Sequence, residues 1–201
     1  MEMTLYYMPG SRAERVRWTL EELDLDYRTV PIDLFKGEGQ RAEYLAIHPM
    51  GQLPALVIDG EVMIESGAIV QWLVESVPGS ELAPAPDQPA RRDFDQWMYF
   101  AVTSLEDPAW EMMLHGRILP EEQAVSAIVP FAEKRYTKAL GVLENAVKDQ
   151  DYLVDSKFSA ADIMVGYILA WFPAFLTSYP GLQAYLDRLK LRPAYPHPPA
   201  E

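Results

Sequence analysis

Apolar positions follow two different rhythms along this chain. In the first third they come in short runs bounded by turn residues, and beyond about residue 90 they recur at helical spacing. Leu5-Tyr6-Tyr7-Met8 predicts a short strand that Pro9-Gly10 stops. Ser11 is placed as the N-cap of the next helix, with Glu14 completing a Ser-x-x-Glu capping box and Val16, Leu20 and Leu23 on the apolar face. Tyr27 to Ile32 predicts a second strand, and Pro31 puts it at a sheet edge. A polar loop, Lys36-Gly37-Glu38-Gly39, leads into a short helix around Tyr44-Leu45. Two apolar runs, Ala55-Leu56-Val57-Ile58 and Glu61-Val62-Met63-Ile64, flank Asp59-Gly60, the strongest short-range signal for a hairpin. A helix from about Ser66 carries Ile69, Trp72, Leu73 and Val77. The predicted order is β-α-β-α-β-β-α, an α/β domain over residues 1–77.

Residues 78–89 hold four prolines (Pro78, Pro84, Pro86 and Pro89) together with Gly79 and Ser80, which suits an exposed linker. Strand signals then disappear, so residues 90–201 are expected to form an all-α domain. Phe94, Trp97, Met98 and Ala101 mark a helix expected to kink or end near Pro108. A further helix is expected from Glu121 to Lys148, bent at Pro130. Phe158-Ser159-Ala160-Ala161-Asp162-Ile163 reads as a hydrophobic staple around a capping box, with Ser159 as cap and Asp162 in place of the usual Glu. The helix behind it, Ile163 to about Phe172, is apolar nearly all round and is expected to run through the core. The chain closes on a proline-rich tail from Pro193 to Pro199.

Composition narrows the function classes. A formal net charge of -13 over 201 residues argues against nucleic acid and anionic membranes, both of which need a basic face. No apolar run is long enough to span a bilayer, and Met1-Glu2-Met3-Thr4 does not read as a secretory leader, so a cytoplasmic protein is expected. The chain contains no cysteine, hence no disulfide, no thiolate metal ligand and no cysteine nucleophile. Any sulfur chemistry must use a ligand's sulfur. His48 and His197 lie far apart in sequence and no histidine–carboxylate motif is present, so no metal site is expected.

Four segments, in order, resemble the cytosolic glutathione transferase family. They are Tyr6-Tyr7-Met8-Pro9-Gly10-Ser11-Arg12, His48-Pro49-Met50-Gly51-Gln52-Leu53-Pro54-Ala55-Leu56, Glu65-Ser66-Gly67-Ala68-Ile69 and Phe158-Ser159-Ala160-Ala161-Asp162-Ile163. The pattern is most similar to the serine-type theta, delta and phi subgroups and their bacterial relatives. The resemblance implies a thioredoxin-like N-terminal domain that binds glutathione as co-substrate, and a helical domain that helps bind a small hydrophobic electrophile. It also implies a homodimer. A relative that keeps the fold as a binding or regulatory protein with little turnover is the alternative.

The resemblance also implies roles for residues. The family proline matching Pro54 is cis and exposes the backbone of the residue before it, here Leu53, to pair with the cysteinyl part of glutathione, a strand addition in miniature. Glu65 and Ser66 match the pair that grips the γ-glutamyl end, Ser66 at a helix start where free N–H groups favour a carboxylate. Gln52 matches a position that contacts the ligand in phi-type members. Phi-type members hold the glycine carboxylate with His and Lys where Gly39 and Gln40 stand here, leaving Lys36 or Arg41 as substitutes. Delta-type members have His where Gly51 stands and Arg where Gly67 stands.

Activation of the thiol means stabilising its anion. A thiol of pKa about 8.5 is only a few per cent ionised at neutral pH. Lowering that value by ~2 units takes about 2.7 kcal/mol of preferential interaction with the thiolate. Ser11 stands where serine-type members place their hydroxyl donor. Tyr7 matches the tyrosine of tyrosine-type members, and Arg12 the cysteine position of beta-type members, so both are competitors for the role. Arg15 matches a family arginine read as mainly structural. Met8, Tyr99, Thr103, Trp110 and Trp171 are candidates for the electrophile pocket, with Met113, His115 and Phe175 as further candidates from the helical domain.

Overall fold

A computed structural model of the chain describes residues 1–196 and divides them into two compact units, 1–83 with 193–196, and 84–192. His197 and the end of the proline-rich tail lie outside the described residues.

The first unit is a four-stranded sheet with helices, built from β1 (Met3–Tyr7), α1 (Ala13–Glu22), β2 (Arg28–Pro31), α2 (Ala42–Leu45), β3 (Ala55–Ile58), β4 (Glu61–Ile64) and α3 (Ser66–Ser76). Strand order is β2-β1-β3-β4. β2 is parallel to β1, which requires the α1 crossover, and it lies at the edge where Pro31 costs no ladder bond. The β3–β4 hairpin turns at Asp59 and Gly60, whose φ values of 48° and 91° are the pair of positive angles that a tight two-residue turn demands.

Register fixes where the loops emerge. Tyr6 pairs with Ala55, Ala55 pairs with Ile64, and Tyr7 pairs with Pro31. The end of β1, the entry to β3 and the exit of β4 therefore share one rim of the sheet. α1 packs on α3, burying Ala13, Val16 and Leu20 against a helix that buries Ile69, Val70, Leu73 and Val74. Each of the valine, leucine and isoleucine side chains among these contributes about 1.5–3 kcal/mol when fully buried. Tyr195 from the tail joins this unit, its ring edge-on to Trp18 at 4.9 Å.

The second unit is helical: α4 (Arg91–Phe100), α5 (Glu106–Met113), α6 (Ile128–Ala146), α7 (Ala160–Leu169) and α8 (Pro180–Lys190). All ten residues of α7 are buried, as its all-round apolar sequence predicts. Its start carries the expected capping box, Ser159 with Asp162.

Two sequence expectations change here. Near Pro108 the helix widens, with a π-helical turn at Ala101–Leu105 leading into α5. A proline cannot donate to the carbonyl four residues earlier, and a wider turn just ahead of it absorbs the mismatch. A second π turn spans Leu114–Ile118. Residues 121–127 form turns rather than helix, and α6 begins at Ile128. Pro130 thus falls in the first turn of α6, where a missing N–H is harmless, so it starts the helix instead of bending it.

Candidate active site

The shared rim of the sheet brings together three of the segments singled out from sequence. The Leu53–Pro54 peptide is cis, and Leu53 is buried. Just before it, the Gln52 carbonyl accepts a hydrogen bond from the Tyr44 hydroxyl at 2.5 Å. Tyr44 is itself buried against Tyr6, and burial pushes its hydroxyl pKa upward, so it remains a donor. It fixes the backbone leading into Leu53. Sequence reading saw Tyr44 only as a helix residue, because nothing local shows that its hydroxyl reaches eight residues on.

Gly39 and Gly51 meet backbone to backbone. A Cβ on Gly51 would lie 2.4 Å from the Gly39 carbonyl oxygen and 2.5 Å from Gln40 Nε2, and one on Gly39 would lie 2.4 Å from the Gly51 oxygen. Gly39 and Gly51, two of the three glycines that depart from the subgroup patterns, are thus one feature, which locks the 33–41 loop onto the 48–52 loop. Gln40 Nε2 occupies the space a side chain at Gly51 would need. Lys36 and Arg41 instead hold local carboxylates, Asp33 at 2.9 Å and Glu38 at 3.1 Å, from well-exposed positions.

On the other side of the rim, Glu65 is exposed and has a φ of 70°, rare for a residue with a Cβ. Strain of this kind clusters at ligand-holding positions. α3 begins at the next residue, Ser66, which is buried and accepts a hydrogen bond from Arg15 Nη1 at 3.1 Å. Arg15 is fully buried on α1. It ties the helix behind the β1 turn to the start of α3, a link that sequence could not show because the two positions lie far apart in the chain.

The turn after β1 carries the sulfur-activating candidates. α1 starts at Ala13 with Arg12 as its N-cap, so Ser11, the expected cap, stands one position ahead of the observed one. Its Oγ still accepts from the Ala13 N–H at 3.3 Å, and it donates to the Met8 carbonyl at 2.7 Å. Glu14 turns toward β1. Its carboxylate accepts from the Tyr7 hydroxyl at 2.6 Å, from Gly10 N–H at 3.4 Å and from Arg17 Nε at 2.8 Å. Burial, then the Glu14 carboxylate, push the Tyr7 pKa upward.

Ser11 and Tyr7 are therefore unequal donors. Withdrawing the Tyr7 proton gives up a bond to a charged acceptor, about 1.5–3 kcal/mol, against about 0.5–1.5 kcal/mol for turning the Ser11 hydroxyl from a neutral carbonyl. Arg12 is half-buried beside Ser11.

In the first unit, Met8 is half-buried at the end of β1. In the second, Tyr99 is 64% exposed on α4, and Thr103, four residues on, is exposed and donates to the Tyr99 carbonyl. Trp110 on α5 is half-buried, and Trp171 packs edge-on to Tyr167. Among the described residues no cluster of three or more His, Asp or Glu side chains could hold a metal ion. His48 is buried, and its Nδ1 accepts from Met50 N–H at 3.3 Å, so the ring serves the 48–52 loop.

Comparison with known proteins agrees with this layout. Residues 1–75 match the family model for the glutathione S-transferase N-terminal domain, and residues 115–188 that for the C-terminal domain. The chain is 29% identical to glutathione S-transferase GstA of Escherichia coli O157:H7, over 95% of this chain and 94% of that protein. It is 31% identical to maleylacetoacetate isomerase of Rattus norvegicus, covering 78% of this chain and 71% of that protein. Glutathione transferase URE2P6 of Phanerochaete chrysosporium, solved in complex with oxidized glutathione, superposes with a TM-score of 0.87 at 27% identity, covering 96% of this chain and 93% of that one. An α/β unit and a helical unit that each match their own family model, with relatives aligned along most of their length, place this chain in the glutathione S-transferase family of enzymes.

Proposed function

We propose that this enzyme binds glutathione along the shared rim of its sheet and that Ser11 holds the glutathione sulfur as a thiolate for attack on a hydrophobic electrophile. The observation that carries the reading is the convergence of the Ser11 turn, the Leu53–Pro54 entry and the Ser66 helix start, which strand register and the Arg15–Ser66 bond bring together. In this reading the Leu53 backbone pairs with the cysteinyl residue. Ser66 and Glu65 take the γ-glutamyl carboxylate and amine, helped by the first N–H groups of α3. Gln52 and Pro54 shape the surface between them.

The thiol loses its proton to water, and the Ser11 hydroxyl turns from Met8 to the sulfur anion. The sulfur then forms a C–S bond as the leaving group departs with its electron pair. Because the chain has no cysteine, the peptide's sulfur is the only thiol in the reaction. The helical unit is the proposed source of electrophile contacts, through Tyr99, Thr103, Trp110 and Trp171, with Met8 adjoining the sulfur. Among the described residues no helix is long and apolar enough to cross a membrane. The reading includes the homodimer that the family resemblance implies and the cytoplasmic location expected from the sequence.

Calorimetric titration with glutathione, run beside conjugation and isomerisation assays on a panel of small electrophiles, tests this directly. Micromolar to millimolar binding with turnover is expected. Neither heat nor turnover across the panel would overturn the reading, and heat without turnover would show a binding protein instead.

A further inference from the structure

The geometry points to Glu14 as a positioning residue that assigns the sulfur to Ser11 by holding the Tyr7 hydroxyl proton. This rests on the proposal that glutathione binds at the rim. The chain carries both family options, a tyrosine at the end of β1 and a serine in the following turn, and composition alone does not choose between them.

Glu14 is only 6% exposed, and its carboxylate is in hydrogen-bond contact with this turn. Its Oε1 takes both the Tyr7 hydroxyl and the Gly10 N–H, while Oε2 takes Arg17 Nε. One buried anion thus joins the end of β1, the Pro9-Gly10 turn and the first turns of α1. A distance of 2.6 Å is that of a charge-assisted O–H···O⁻ bond. A phenol has one proton, and with that proton on Glu14 only its lone pairs remain, which repel a thiolate. Ser11 gives its proton to a neutral carbonyl and can redirect it at little cost.

Among the described residues, the charged groups facing the Tyr7 hydroxyl are Glu14 and Arg17, both on α1. Arg17 is shared with a second pair of the same kind, its Nη1 lying 3.9 Å from Glu21, which accepts from the Tyr27 hydroxyl at 2.6 Å. Arg17 Nε, 2.8 Å from Oε2, sets a positive charge beside the buried carboxylate and leaves Oε1 to Tyr7 and Gly10. Sequence reading saw Glu14 only as the partner of Ser11 in a capping box. The two readings differ in what the carboxylate grips: the backbone of its own helix start, or the neighbouring strand's phenol.

The test compares Glu14→Gln with the wild-type chain in two readouts. In the first, the ring-carbon NMR signal of Tyr7, assigned by Tyr7→Phe, is followed to alkaline pH without glutathione. Its titration is expected at least about one unit lower in Glu14→Gln, the size of shift a neighbouring full charge produces. In the second, the pKa of bound glutathione thiol is measured. Tyr7→Phe is expected to raise it more in the Glu14→Gln background than with Glu14 present, because the released phenol then shares the sulfur with Ser11. An unmoved Tyr7 titration, or an equal effect of Tyr7→Phe in both backgrounds, overturns the proposal. A general loosening of the turn would not make the thiol newly dependent on Tyr7. Should Glu14→Gln fail to fold, Glu14→Asp keeps a charge for Arg17 while withdrawing it from Tyr7, and the same two outcomes apply. If glutathione does not bind at all, the reading of the rim fails while the Tyr7 titration still decides the Glu14 contact.

Discussion

Replacing Asp162 probes the buried network that starts α7. The carboxylate is fully buried and accepts four hydrogen bonds: Leu153 N–H at 2.9 Å, Ser159 N–H at 2.8 Å, Ser159 Oγ–H at 3.0 Å and the Tyr185 hydroxyl at 2.7 Å. Leu153, Ser159 and Tyr185 are each at most 3% exposed, so water cannot readily stand in for the lost acceptor. Asp162→Ala strands two backbone donors at about 1–3 kcal/mol each, and the hydroxyls recover only part by turning. A loss of about 4 kcal/mol follows, within the range for breaking one side of a buried charged network. For a chain of this size that corresponds to a fall in melting temperature of about 8–16 °C, measurable by far-ultraviolet circular dichroism.

The same carboxyl has a pH signature. Burial pushes it up to about 6 from 3.8, outweighing the donors that favour its anion. Between those values the folded chain holds a proton that the unfolded chain has released. The group's contribution is therefore fully present below the unfolded pKa and is lost as pH rises through about 6, about 3 kcal/mol in all. Asp162→Asn keeps one acceptor and cannot titrate, so the stability difference between it and the wild type should change across that window. A difference that stays constant from about pH 4 to 7, or an Asp162→Ala loss below about 1 kcal/mol, would refute this reasoning.

Other substitutions address the site. Arg15→Met and Ser66→Ala are each expected to weaken glutathione binding by about three- to tenfold, the worth of one hydrogen bond. Their effects should fall short of additive in the double variant when followed by calorimetry, because they break the same contact. Gly51→Ala is expected to lower the melting temperature by several degrees, since its Cβ would stand 2.4 Å from a backbone oxygen at a φ of 64°. An unchanged melting temperature would show that the two loops are not locked together.

How much of this was legible in the sequence depends on the range of the interaction. The Asp59-Gly60 turn, the edge position of Pro31 and the Ser159–Asp162 box are set by residues within a few positions of one another, and the structure shows each of them. The widened turn before Pro108 and the late start of α6, which puts Pro130 in its first turn, were not foreseen, because a proline's effect depends on where its helix begins. At the site, the motif spacing names Ser11, Pro54 and Ser66. The residues that hold them in place act across the fold: Tyr44 on the Gln52 carbonyl, Arg15 on Ser66, and Glu14 on Tyr7. A side chain's partner across a sheet rim leaves no local pattern, so Glu14 looked like an ordinary helix-start residue.

The central claim is that Ser11 supplies the hydrogen bond that keeps the glutathione sulfur ionised. The pKa of the bound thiol, followed by thiolate absorbance in the wild type and in Ser11→Ala, tests it most directly. Serine as the donor predicts a bound thiol well below about 8.5 in the wild type and a rise of about one to two units in Ser11→Ala. A thiol pKa that Ser11→Ala leaves in place, and that Tyr7→Phe or Arg12→Ala raises instead, would contradict it.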